Sequence, residues 1–99
     1  MTVARAEDLA EGNMQAFEVM DTRIAVANVD GTFYAFADTC THEGCSLAEG
    51  ELEETTLTCG CHGSQFDVSN GALLRGPAQE PLESYETRVE DGNLEIKTR

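Results

Sequence analysis

Two short stretches decide the reading: Thr39-Cys40-Thr41-His42-Glu43-Gly44-Cys45 and Cys59-Gly60-Cys61-His62-Gly63-Ser64. The chain contains four Cys and two His, and these stretches hold them all. Ordinary buried cysteines and surface histidines would be scattered along the sequence. Two loops, each offering thiol and imidazole donors and separated by a hairpin-sized stretch, point instead to a metal site. Two Cys and two His would suffice for one tetrahedral zinc. Six candidates exceed that number, so two cysteines need another role, and residue types alone leave the metal open.

The flanks read as strands. Phe17 to Met20 and Arg23 to Val29 are two short apolar-rich runs, and Thr32 to Asp38 alternates with Phe and Tyr as strand formers. Asp30-Gly31 between them accepts the positive φ angles of a type I′ hairpin turn. Ser84 to Glu90, a turn at Asp91-Gly92-Asn93 and Leu94 to Thr98 predict a second hairpin. Helix signals are thin: Ala6 to Ala10 could make one turn, and Ser46 to Gly50 is too short for more. The expected fold is all-β, a small antiparallel sandwich or barrel. From Thr39 to about Pro81 the pattern loosens into Gly- and Cys-bearing loops around one short hairpin, Phe66 to Leu74, turning at Ser69-Asn70-Gly71. This loop-rich insert is where a rigid frame would carry its site.

Length and charge narrow the classes. With 99 residues the chain is expected to be one domain with at most a single core. It carries 19 Asp and Glu against 6 Lys and Arg, a formal charge of -13. Nucleic-acid binders need a basic footprint, and anionic membranes attract basic segments, so both partners are disfavoured. The most apolar region, Ile24 to Ala37, is broken by Asn28, Asp30 and Gly31 and is no membrane span. The first residues lack the apolar core of a signal peptide, so a cytoplasmic protein is expected.

The Cys and His pattern resembles that of Rieske iron–sulfur proteins: Cys-x-His, a spacer, then Cys-x-x-His. Cys40 and His42 match the first pair, 16 residues follow, and Cys59 and His62 match the second. The resemblance extends over most of the chain, because the flanking strands also suit that family's β scaffold. It implies one [2Fe-2S] cluster, with one iron on Cys40 and Cys59 and the other on His42 and His62. With neutral imidazoles the oxidised site is uncharged, whereas four thiolates would leave it doubly negative. An electron is therefore accepted more easily, in the range of roughly -150 to +300 mV. The free imidazole nitrogens could couple proton uptake to reduction.

The same resemblance gives other residues roles. Cys45 and Cys61, one in each loop, match the disulfide pair of high-potential members. Such a bridge would close a loop of about 17 residues and contribute on the order of 3 kcal/mol in the chain-entropy model. Ser64 matches a serine whose hydroxyl bonds a bridging sulfide and favours the reduced state. Phe66 stands where the respiratory proteins place a tyrosine, and a phenyl ring cannot donate to a cysteine sulfur. An intermediate potential follows. Leu74-Arg75-Gly76-Pro77-Ala78 resembles the family's proline loop, with Gly76 and Pro77 covering the cluster from a third side.

The implied function is that of a free-standing Rieske ferredoxin. It would be a monomeric one-electron carrier between a flavin-dependent reductase and a terminal oxygenase, and not itself an enzyme. The acidic run Glu49-Gly50-Glu51-Leu52-Glu53-Glu54 lies between the ligand loops and could steer docking. Two other readings remain at this level. One is the Rieske small subunit of a larger nitrite- or arsenite-type oxidoreductase; the other is a structural or regulatory zinc module. Burial beside the cluster would shield the bridge from cellular thiols.

Overall fold

Asp30 and Gly31 adopt φ angles of 52° and 89°, the pair of positive values that a type I′ turn needs. In the computed structural model, which describes residues 2–39, 45–61 and 63–97, this turn joins two neighbouring strands of the larger sheet. The strands are β1 (Thr2–Arg5), β2 (Met14–Val19), β3 (Thr22–Val29), β4 (Thr32–Ala37), β5 (Glu51–Glu53), β6 (Thr56–Thr58), β7 (Gln65–Asp67), β8 (Leu73–Arg75), β9 (Ser84–Glu90) and β10 (Asn93–Lys97). Two 3-10 turns, Ala6–Asp8 and Leu47–Glu49, are the remaining regular elements among the described residues. The all-β expectation therefore holds.

Six strands form one antiparallel sheet in the order β1-β10-β9-β4-β3-β2, and four form a second, β5-β6-β7-β8. The second sheet corrects the expectation of a loop-rich middle with one hairpin. Its strands are only three residues long. Runs that short carry almost no periodicity, so they become strands by pairing with one another. β1 was not expected either; its partner β10 lies at the other end of the chain. Met20, read as a strand residue, sits with Asp21 in the β2–β3 turn at positive φ.

The core is divided, which corrects the single core expected from length. β3 is buried on both faces. Ala25 and Ala27 face Leu57, Phe66 and Val68 of the smaller sheet and its flank. Ile24 and Val26 belong to a second cluster with Val19, Leu94 and Ile96. Because that cluster joins β2 and β10, strands far apart in the sheet order, the larger sheet must curl towards a barrel. Side-chain sizes are complementary across the β3–β4 ladder: Ala25 opposes Phe36, and Val26 opposes Ala35. Phe36 thus fills the space between the sheets while Ala35 leaves room inside the curl.

Buried Asn28 locks the base of the hairpin: its side chain donates to the Leu9 carbonyl and accepts the Gly31 amide. These bonds satisfy an otherwise costly buried amide.

Candidate metal centre

The first loop leaves the larger sheet directly after β4. Asp38 caps that strand, and Thr39 pairs with Ser46 in an isolated antiparallel bridge. Residues 40–44, including Cys40 and His42, lie outside the described residues, as does His62. The structure therefore describes the two ends of the first loop and nearly all of the second.

The ends are held by one side chain. The Asp38 carboxylate is 1% exposed. Its Oδ2 accepts from Arg23 Nε at 2.7 Å and from Ser46 Oγ at 2.6 Å, and its Oδ1 accepts from the Ala48 amide at 2.8 Å. The backbone repeats the connection, since Leu47 N–H donates to the Asp38 carbonyl at 2.6 Å. Burying a carboxylate is costly unless it is paired and hydrogen-bonded, and three donors meet that need here. The hydrogen bond to Asp38, followed by its charge, raises the Arg23 pKa above the ordinary arginine value.

The second loop links β6 to β7 in six residues. Cys59 N–H donates to the Ser64 carbonyl at 2.8 Å, and Gly63 N–H donates to the Cys59 carbonyl at 3.1 Å. Gly63 has φ +79°, which a side chain would disfavour. Cys59 is 2% exposed and packs into the cluster between the sheets with Phe66. A thiolate in such apolar surroundings is disfavoured unless it is bound, which fits a metal-ligating role.

A disulfide joins Cys45 to Cys61 with the Cα atoms 6.6 Å apart. It ties the exit of the first loop to the turn of the second. Cys61 is exposed and Cys45 half-buried. The stretch between the loops is tight at its base: a Cβ at Gly50, just before β5, would collide with the carbonyl oxygen of Thr58 on the paired strand β6.

A third segment reaches the second loop from β8. Gly76 and Pro77 are exposed and joined by a cis peptide, and buried Ala78 donates its amide to Ser64 Oγ at 3.0 Å. Ser64 is 1% exposed. Its oxygen is occupied as an acceptor, so its own proton remains to be donated. Phe66 is fully buried on β7, opposite Leu57 and Leu73. Sequence reading singled out the cysteines, Ser64, Phe66 and the proline segment. It missed Asp38, Arg23, Ser46 and Gly50.

The Rieske [2Fe-2S] domain family matches residues 1–86. The chain belongs to this family. It is 37% identical over 95 residues to the 3-phenylpropionate/cinnamic acid dioxygenase ferredoxin subunit of Photorhabdus laumondii, covering 95% of this chain and 90% of that protein. It is 38% identical over 92 residues to the biphenyl 2,3-dioxygenase ferredoxin component of Rhodococcus jostii, covering 93% and 86%. Its fold matches a chain of the complex of reduced oxygenase and oxidized ferredoxin in carbazole 1,9a-dioxygenase, with a TM-score of 0.92, 34% identity and coverage of 98% and 100%. The Rieske protein therefore carries a [2Fe-2S] cluster, and the zinc module drops out. Its relatives are electron-transfer components of dioxygenase systems, and the chain is an electron carrier of that kind rather than an enzyme. Among the described residues no helix is long and apolar enough to cross a membrane.

Proposed function

We propose that this protein is a Rieske ferredoxin that takes single electrons from a flavin-dependent reductase and delivers them to the terminal oxygenase of a ring-hydroxylating dioxygenase system. Cys40 and Cys59 hold one iron and His42 and His62 the other. Residues 1–99 act as one domain, with the cluster carried by residues of about 39–81, and the carrier works as a monomer in the cytoplasm.

The observation that carries this reading is the joining of the two Cys- and His-bearing loops by the Cys45–Cys61 bridge. When bound, the cluster supplies a one-electron couple of modest potential. The residues around it orient and tune. Cys59 presents a buried sulfur from a short, hydrogen-bonded turn. The Ser64 hydroxyl can donate to an electron-rich acceptor, while the Ala78 amide fixes its oxygen. Gly76 and Pro77 form the third wall. Glu51, Glu53 and Glu54 are exposed on β5 and its turn, where they can attract a basic partner surface.

The test is a reconstituted chain. Purified protein is mixed with NADH, a dioxygenase reductase and an aromatic-ring dioxygenase, and product is measured with and without it. Product that requires the protein, at a rate that falls as salt rises, is the expected result. A coloured, reducible protein that passes no electrons to any such oxygenase contradicts the proposed role.

A further inference from the structure

Asp38 has more contacts than a strand end requires. Asp38 stands at the entry of the first loop, and its carboxylate accepts from the exit, at Ser46 and Ala48, and from Arg23 on the neighbouring strand. The loop between them contains Cys40 and His42. Arg23 lies beside Asp38 because the β3–β4 register pairs Ile24 with Ala37, which puts the next two residues out opposite each other. The Arg23 side chain is 58% exposed, whereas that of Asp38 is 1% exposed. The negative charge is thus fixed inside, and its counter-charge lies at the surface. Asp38 precedes Cys40 by two residues in the chain.

We propose that the buried Asp38 carboxylate is a positioning residue for the cluster: it draws the first ligand loop closed, and with Arg23 it forms a fixed charge pair that sets the cluster's electron affinity. This rests on the ligand reading given above. A carboxylate at one end of a loop that bonds the other end restricts that loop without touching the metal, as outer partners of metal ligands do. Its charge also acts on the redox step. Reduction adds one electron to the site, so a nearby negative charge opposes it and a nearby positive charge favours it. Asp38 is immobile and lies inside, where screening is weak. Arg23 is partly in water and offsets it only in part.

The experiment uses the cluster-loaded full chain and the variants Asp38→Asn, Arg23→Gln and the double variant. Three quantities are read: cluster release to an iron chelator, reduction potential, and thermal midpoint. Asp38→Asn keeps the shape but turns an NH2 towards Arg23 or Ser46. It is expected to release the cluster about tenfold faster or more, as loss of a charge-assisted hydrogen bond implies. Its potential is expected to rise, while that of Arg23→Gln falls. In the double variant the two shifts oppose each other, and the potential returns towards that of the unmodified protein.

Shifts of opposite sign support the charge pair, because a purely structural bond has no reason to give them. Potentials that stay fixed, or move the same way in both single variants, overturn the proposal even if the midpoints fall. If Asp38→Asn does not fold, Arg23→Gln alone decides, since its side chain is largely exposed: a lowered potential supports the pair and an unchanged one overturns it. Absence of an iron–sulfur spectrum in the unmodified protein would instead overturn the ligand reading beneath the proposal.

Discussion

Replacing Ser64 with Ala should separate two uses of one hydroxyl. Ser64 Oγ accepts the Ala78 amide at 3.0 Å, and both residues are buried, at 1% and 4% exposure. Ser64→Ala leaves that amide without this acceptor. A buried donor so stranded costs about 1–3 kcal/mol. For a domain of this size each kcal/mol lowers the thermal midpoint by roughly 4–8 °C. The hydroxyl proton has the second use. If it bonds a bridging sulfide, it stabilises the reduced cluster by the worth of a typical hydrogen bond, about 0.5–1.5 kcal/mol. A tenfold change in a one-electron equilibrium is about 59 mV, so the potential should fall by roughly 20–65 mV. Voltammetry reads the second effect and a thermal melt of the oxidised protein reads the first. A lowered midpoint with an unmoved potential would show that Ser64 serves only the proline segment. If neither quantity moved, the role given to this residue would be refuted altogether.

Two further substitutions probe the site from other sides. Phe66→Tyr adds a hydroxyl in a fully buried position on β7; it is expected to raise the potential by donating to a cysteine sulfur, and a fall in thermal midpoint with no rise in potential would contradict that placement. Gly50→Ala puts a Cβ into the Thr58 carbonyl at the end of the β5–β6 ladder; it should cost about 1–3 kcal/mol of stability in urea denaturation, as overpacking does, and an unchanged midpoint would show that the ladder can spread there.

Much of the frame could be read from residues alone. Asp30-Gly31 and Asp91-Gly92 marked both long hairpins, and all four residues do take positive φ. The smaller sheet could not be read that way. Leu52, Leu57, Phe66 and Leu73 lie on four strands of three residues each, and their pairing is decided between strands rather than along them. The split core was hidden for a related reason. The alternation of Ile24, Ala25, Val26 and Ala27 reads as a continuous apolar run, and only the second sheet shows why every other side chain is small.

At the site, the clustered Cys and His residues pointed to a metal, and the likeness of their spacing to the Rieske pattern implied which one. Asp38 was overlooked, since an acid at a strand end normally faces water. The information was nevertheless present. A two-residue turn at Asp30-Gly31 fixes the register, and that register places Arg23 beside Asp38. What the sequence could not indicate was that Ser46 and Ala48 would return to the same carboxylate, which is a property of the folded loop. Gly50 was equally silent, since its φ is ordinary and only the closeness of Thr58 requires it.

The proposed ligation is mixed, with two cysteines on one iron and two histidines on the other. The chain has only two histidines, His42 and His62, so isotopic labelling addresses both without ambiguity. Protein grown with ¹⁵N-histidine is reduced and examined by EPR and the associated nuclear double-resonance methods. The account predicts a low-average-g signal with two strongly coupled histidine nitrogens, and loss of one coupling or of the whole cluster in His42→Ala or His62→Ala. A reduced signal without nitrogen coupling, as four cysteine ligands would give, would contradict it.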